Sequence, residues 1–240
     1  MTDQIGVESD EKTKPLVLDL FCGAGGVSVG IHRAGFNVVG VDIADQPNYP
    51  FVRYKGDAIQ FLQSFIRGNS PIISDDVAWI WASPPCHYYS WASAKHRNKG
   101  KKYPGLIGQT RALLQQTEKP YIIENVAGAP LKNKKMLCGL MFNLGVNRHR
   151  YFESNVDLKT PKHVDCRGRI VRGEAYTVAG HGGNSKSFKL NDWRGAMGID
   201  WMNKRPVEYG NRGKGIVGNR EDLCESIPPE YSEYLARQMI

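Results

Sequence analysis

Cys86 closes the run Ser83-Pro84-Pro85-Cys86, directly after the apolar stretch 77–81. Two prolines stiffen the backbone in front of the thiol, which helps to aim a nucleophile. The plain alternative for such a residue is a buried, inert core cysteine. A second apolar stretch, 121–123, leads into Glu124-Asn125-Val126, and Arg148-His149-Arg150 precedes Tyr151 and Phe152. If these stretches are strands of one sheet, a thiol, a carboxyl group and a guanidinium meet at one edge. That set suits covalent catalysis on a polar ring. A fourth feature is Asp19-Leu20-Phe21-Cys22-Gly23-Ala24-Gly25-Gly26. Its glycines allow a backbone to approach a ligand closely, and a following helix N-terminus favours the ligand's polar or negative end. Alone, such a turn fits NAD, S-adenosylmethionine or mere tight packing. Asp42, expected at the end of the next strand, stands where an acid commonly accepts from ribose hydroxyls. Asp57, before the following helix, could equally be an N-cap.

The elements that must position these groups show as short apolar runs alternating with amphipathic stretches, the pattern of βα units and a mostly parallel sheet. The pattern predicts strands at 16–20, 38–41, 77–81, 121–123 and around Tyr151 and Phe152. It predicts helices from the glycine turn to about Ala34 and over 58–66, 106–116, 133–141, 193–202 and 230–240, the last preceded by Pro228 and Pro229. Ligands of doubly wound sheets bind outside the carboxyl ends of strands, so Cys86 and the glycine turn should share an edge. The expected fold class is therefore α/β and Rossmann-like, with a disordered leader over 1–14 and a catalytic and cofactor-binding domain over 15–153. Residues 154–190 are polar and rich in Gly, Lys and Arg, reading as a small irregular subdomain or loops, and 203–220 read as a glycine- and charge-rich loop.

With 240 residues, 41% hydrophobic and 23% charged, the chain fits one globular domain with a small appendage. A net charge of +8 suits a polyanionic partner, because each neutralised phosphate releases condensed counterions. No apolar stretch reaches the length of a membrane span, and no signal region opens the chain, so the expected location is the cytoplasm or nucleoid. The five cysteines contain no CxxC pair, which indicates neither a disulfide framework nor a zinc site. His163 and Cys166 have ligand-like HxxC spacing without a second pair, so a surface loop and no metal are expected there.

Asp19 to Gly26, Pro84-Pro85-Cys86, Glu124-Asn125-Val126 and Arg148-His149-Arg150, in that order, resemble the motifs of the C5-cytosine DNA methyltransferases. Ser90, four residues after Cys86, matches a serine of the family's catalytic loop. Ala196-Met197-Gly198 and Ser226-Ile227-Pro228-Pro229-Glu230-Tyr231 resemble the closing motifs of its compact, phage-like members. The resemblance implies a Rossmann-like methyltransferase fold, S-adenosylmethionine as cofactor and double-stranded DNA as partner, with the chain acting as a monomer. It implies that the Cys86 thiolate adds to carbon 6 of cytosine. Glu124 would bond N3 and the exocyclic amine, and Arg150 the carbonyl O2, supported by Arg148. Carbon 5 would then take the methyl group, and loss of its proton would release the thiol. The base is flipped out of the duplex in this family, at a cost of a few kcal/mol of unstacking. For the cofactor, the resemblance assigns Phe21, Gly23 and Gly25 to the methionine end, Asp42 to ribose and Asp57 to adenine. Asp19, Gly26 and Pro84 belong to the same site, and Ser226 closes it.

The basic run carrying Lys95, Arg97, Lys99, Lys101 and Lys102 follows Cys86 within one loop and is expected to close over the DNA backbone with Ser90; a solvated charge run is the alternative. The reduced target-recognition region, 154–192, supports only limited base-edge readout, so a short or degenerate target or an accessory partner is expected. Residues 193–240 would carry the C-terminal motifs back to the catalytic domain. The sequence departs from the family pattern at Asn147, at His87 and at Glu225-Ser226. Two other readings stand beside DNA methylation, namely a tRNA cytosine methyltransferase and a catalytically silent nucleic-acid-binding protein of the same fold.

Overall fold

The structure is a computed structural model that describes residues 14–90, 103–175, 177, 190–199 and 222–239. Seven strands form one sheet: β1 (Leu16–Leu20), β2 (Asn37–Asp42), β3 (Val52–Lys55), β4 (Val77–Ala82), β5 (Tyr121–Asn125), β6 (Lys135–Leu137) and β7 (Arg150–Ser154). Their spatial order is β3-β2-β1-β4-β5-β7-β6. The first five run parallel, and β7 pairs antiparallel with both β5 and β6. The helices are α1 (Gly26–Arg33), α2 (Ala58–Ile66), α3 (Ile107–Gln116), α4 (Cys166–Val171), α5 (Leu190–Met197) and α6 (Pro229–Ala236). This is the expected α/β, Rossmann-like architecture. Strands of a parallel sheet are covered on both faces and so read as near-continuous apolar runs, as in Leu16–Leu20 and Val77–Ala82. Leu18 and Leu20 point to a core shared with Leu62, Phe65, Ile107 and Leu114, on the side of α2 and α3. Val17, Trp79, Trp81 and Phe152 point the other way, to Ile31 of α1 and to Tyr231 and Leu235 of α6. β1 has β2 on one side and β4 on the other, so crossovers leave it in opposite directions and open a crevice at its carboxyl end. Among the described residues no helix is long and apolar enough to cross a membrane.

Two expected elements are corrected, and one strand is additional. Residues 133–141 are not a helix: Lys135–Leu137 form β6, and Gly139–Phe142 form a 3-10 turn. Asn133 takes a left-handed conformation, and pairing with β7 overrides a weak helical period. The helix expected over 193–202 is α5, which stops at Met197 because Gly198 turns left-handed; the N–H groups of Gly198 and Ile199 close back onto the Gly195 and Arg194 carbonyls. The short edge strand β3, with its two basic residues, has no counterpart in the sequence reading. The polar region after residue 154 contains α4, capped by Asp165, whose carboxylate accepts from the Gly168 N–H at 3.1 Å. The leader before residue 14 and the loop at 203–220 lie outside the described residues.

The C-terminal segment is held against α1 at van der Waals distance. A Cβ on Gly30 would lie 2.0 Å from the Pro229 carbonyl oxygen, and one on Gly26 would lie 2.3 Å from that of Ile227. Ser232 fixes the approach by donating to the Val27 carbonyl at 2.8 Å. Gly30→Ala is therefore expected to destabilise the chain by about 1–3 kcal/mol through overpacking, although alanine is the better helix former by about 1 kcal/mol. A lowered urea midpoint at unchanged slope checks it.

Candidate active site

β4 delivers Cys86 to the crevice through a segment fixed at both ends. The Trp81 indole N–H donates to Ser83 Oγ at 2.8 Å, and the buried Asn125 amide donates to the Pro84 carbonyl at 2.7 Å. After the prolines the chain enters a 3-10 turn, Cys86–Tyr88, whose Cys86 carbonyl accepts from the N–H groups of Tyr89 and Ser90, both at 2.9 Å. Cys86 is half-buried. Burial pushes its pKa up, and the nearby Arg150 opposes that shift. At neutral pH it rests as a thiol whose ionised form a guanidinium favours.

Glu124 ends β5 on the same edge. The antiparallel register pairs Glu124 with Phe152, which places Arg150, two residues back along β7, diagonally opposite on the same face. Arg150 Nε lies 3.1 Å from Glu124 Oε1, and its Nη1 donates to the His149 carbonyl at 2.9 Å. Glu124 is buried, and burial pushes its carboxyl pKa up, against Arg150, Arg148 and a Ser83 hydrogen bond that hold it down. A carboxyl group under such opposing influences can either donate or accept a proton. Arg148 is buried deeper and links segments: its guanidinium donates to the Cys224 carbonyl at 2.6 Å, while the Tyr231 hydroxyl donates to the Arg148 carbonyl at 2.6 Å. These bonds tie the expected support of Arg150 to the C-terminal segment.

The glycine turn follows the carboxyl end of β1 and lies along the same edge, next to β4. Phe21, Gly23 and Gly25 all have positive φ (59°, 49° and 93°), and a Cβ on Gly23 would meet nothing within 4 Å, so its backbone faces open space. Asp42 supports the turn, accepting from the Gly23 N–H at 2.9 Å and the Ala44 N–H at 2.8 Å. Asp19, beneath the turn, is fully buried. Its Oδ2 accepts from Ser28, which also contacts the Tyr49 hydroxyl at 2.8 Å, while Oδ1 has no partner among the described residues. Burial pushes the Asp19 carboxyl up to about 7. Gly25 caps α1 without a side-chain hydrogen bond, which leaves the helix's first N–H groups without a capping side chain at the same turn. An orphaned acid and an open helix N-terminus fit the ammonium and carboxylate of an amino-acid zwitterion, such as the methionine end of S-adenosylmethionine carries.

Other expected cofactor residues have structural partners. Gly26 is where Ile227 packs on α1. Asp57 caps α2, accepting from Ile59 and Gln60 N–H groups at 2.8 and 3.0 Å. Ser226 is buried and donates to the Asp222 carbonyl at 2.6 Å. Pro84 is buried in the segment before Cys86, its carbonyl taken by Asn125. Ala24 of the turn packs with Met197, Ile199, Leu223 and Cys224. Lys95, Arg97, Lys99, Lys101 and Lys102 lie outside the described residues. The sequence reading missed Ser83 as a partner of Glu124 and Asn125 as the tie on the proline segment; their adjacency to the motifs was the available signal.

A model of the family described as C-5 cytosine-specific DNA methylase matches residues 16–143. Among curated proteins, the chain is 28% identical over 176 residues to the Type II methyltransferase M.AplI of Arthrospira platensis, covering 73% of this chain and 48% of that protein. It is 30% identical over 169 residues to the Type II methyltransferase M.NgoFVII of Neisseria gonorrhoeae, covering 65% and 42%. The chain thus spans about half the length of the curated relatives it matches. Among solved structures, S. pombe Dnmt2 methyltransferase superposes with a TM-score of 0.60 at 13% identity, covering 93% of this chain and 97% of that one. The Entamoeba histolytica methyltransferase EhMeth superposes with a TM-score of 0.55 at 12% identity, covering 94% and 98%. These two likenesses concern the fold. The matched span runs from β1 to the end of the 3-10 turn after β6 and carries the glycine turn, Cys86 and Glu124, and by it the chain belongs to the C-5 cytosine-specific DNA methylase family.

Proposed function

We propose that this chain methylates carbon 5 of cytosine in double-stranded DNA, with S-adenosylmethionine as donor. The observation that carries the proposal is the convergence of Cys86, Glu124 and Arg150 on one sheet edge beside an open glycine turn. The cofactor, when bound, supplies an electrophilic methyl group on a sulfonium. Phe21, Gly23, Gly25 and Asp19 hold its amino-acid end, and Asp42 takes the ribose. Cys86, as thiolate, adds to carbon 6 of a flipped cytosine. Glu124 holds a proton at N3 as electron density moves into the ring. Arg150 faces O2 and keeps Glu124 in place. Once carbon 5 carries the methyl group, its proton passes to water, the electron pair of that C–H bond re-forms the carbon 5–carbon 6 double bond, and the sulfur–carbon 6 bond breaks to return the Cys86 thiolate. The donors stand where charge develops, which is the usual source of large rate effects.

The reduced region 154–192, the basic run after Cys86 and the net charge of +8 support a DNA partner read with few base contacts. In the organisation proposed here, 15–153 form the catalytic unit and 193–240 close it. The cellular setting consistent with this reading is the cytoplasm, at the nucleoid. Tritiated donor offered with duplex DNA and, separately, with tRNA tests the substrate; label confined to tRNA, or found on adenine, overturns the proposal. Glu124→Gln keeps the shape but not the exchangeable acid. It is expected to lower kcat by on the order of 10²–10³-fold, with donor affinity unchanged. Single-turnover rates and equilibrium binding of the donor check the two halves separately.

A further inference from the structure

Behind the active-site edge, four side chains with metal-ligating atoms converge from three separate segments. Cys138 follows β6, and His149 precedes β7. The register pairs Leu137 with Arg150, so one step further along the same ladder Cys138 faces His149. His163 and Cys166 arrive from the start of α4, three residues apart. The four ligand atoms all lie within 4.8 Å of one another. Sγ of Cys138 and Cys166 are 3.3 Å apart, and Nε2 of His149 and His163 are 3.1 Å apart. Cys166 Sγ is 3.1 Å from His163 Nε2 and 3.5 Å from His149 Nε2.

Hydrogen bonds alone do not account for this arrangement. Each imidazole offers at Nε2 either one proton or one lone pair, yet both nitrogens face each other and the same sulfur. The sulfur separation is far beyond the roughly 2.05 Å of a disulfide. A tetrahedral zinc with bonds of about 2.3 Å to sulfur and 2.0–2.1 Å to nitrogen sets its ligands about 3.3–3.8 Å apart. Four of the spacings, 3.1–3.5 Å, fall within about half an ångström of that shell, and all four atoms lie within 4.8 Å of one another, so small side-chain shifts would complete it. Two thiolates and two imidazoles suit zinc by softness and charge, and four protein ligands leave no open position, the mark of a structural centre. The surroundings agree. Cys138 and Cys166 are buried in a small cluster with Leu140 and Ala175, the only apolar core cluster among the described residues that includes α4. Binding a metal there would contribute stability that so small a core lacks.

We propose that Cys138, His149, His163 and Cys166 form a structural zinc site that pins the start of the reduced recognition region to the β6–β7 hairpin. This proposal departs from the expectation of a surface loop without metal at His163 and Cys166. The site also reaches the chemistry. His149 lies between Arg148 and Arg150, and its carbonyl accepts from Arg150 Nη1 at 2.9 Å. The metal would fix the residue on which the catalytic guanidinium rests.

The test is the metal content of the full-length chain, purified without chelator after growth with zinc, and read by elemental mass spectrometry. About one zinc per chain is expected. His163→Ala combined with Cys166→Ser, both remote from the reacting groups, should remove nearly all of it and lower the thermal midpoint by on the order of 10 °C. Exchange of wild-type protein into cobalt should produce thiolate-to-metal charge-transfer bands and tetrahedral d–d bands. Substoichiometric metal with four accessible thiol and imidazole groups, or a Cys138–Cys166 disulfide in the intact mass, overturns the proposal. So does zinc retained by the double variant. The wild-type stoichiometry decides the matter even if the variant fails to fold, and it stands apart from any assay of methyl transfer.

Discussion

Cys86→Ala is expected to reduce methyl transfer to cytosine by on the order of 10⁴-fold or more, because the variant lacks the atom that opens carbon 5 to attack. The substitution removes little else. The turn at 86–90 is held through the Cys86 carbonyl, which accepts from Tyr89 and Ser90, and the incoming segment is held through Pro84 and Ser83. Donor binding, DNA binding and melting temperature should therefore stay close to wild type. That separates a chemical loss from a folding loss. Duplex DNA containing 5-fluorocytosine sharpens the test, since fluorine does not leave as a proton does: wild-type protein should accumulate a denaturation-resistant adduct, and Cys86→Ala none. The pH profile carries the same signature. Because burial raises the thiol pKa, wild-type rate should climb from neutral pH toward and past the ordinary thiol value of about 8.5. Undiminished activity in the alanine variant would remove the covalent mechanism altogether.

The residues that carry this chemistry were legible because the fold delivers them by local rules. Cys86 and Glu124 stand at or just beyond the carboxyl ends of short apolar runs, which a parallel sheet brings to one edge, and Arg150 opens an antiparallel strand whose start lies at that same edge. β1, β2, β4 and β5 match their expected spans within a residue or two because the sheet is covered on both faces and the strands are apolar runs, and α2 because its buried Ala58, Ile59, Leu62 and Phe65 recur at helical spacing. Legibility fades where a partner distant in sequence decides. Lys135–Leu137 becomes a strand only because β7 lies beside it. The bidentate pair between Arg111 of α3 and Glu153 of β7, at 2.6 and 2.7 Å, joins residues 42 apart, and nothing local announces it. Gly26 and Gly30 read as part of a nucleotide turn and its helix, yet their smallness serves the docking of the C-terminal segment. Cys138 and His149 are the clearest case. Ten residues separate them, no zinc spacing in sequence connects them, and only the antiparallel register sets them opposite each other.

Asp19→Asn is expected to stabilise the free protein at pH 8 while weakening its hold on the donor. The wild-type carboxyl is fully buried at the end of β1, with one oxygen bonded to Ser28 and the other without a partner among the described residues. Burial, aided by the charges of Asp42 and Glu124, raises its pKa from 3.8 to about 7. Below pH 3.8 both folded and unfolded chains hold the proton, and the group does not affect the balance. Between 3.8 and about 7 the folded chain keeps a proton that the unfolded chain has lost, so stability falls as pH rises. Above that window the loss is complete, at about 4 kcal/mol. Asparagine keeps an oxygen for Ser28 and never ionises. Its own amide needs a partner, so the expected recovery is about 2–4 kcal/mol, or roughly 5–10 °C, at pH 8, shrinking to nothing near pH 4. Donor affinity should fall by about 10–100-fold, the worth of one charge-assisted hydrogen bond to an ammonium. Melting curves across pH and calorimetric titration with S-adenosylmethionine measure the two effects. A stability change independent of pH would mean that Asp19 is not held under electrostatic strain. Stabilisation with donor affinity intact would place the ammonium elsewhere. Both effects together would mean that the fold tolerates an ionised buried acid at this turn because a bound cation relieves it.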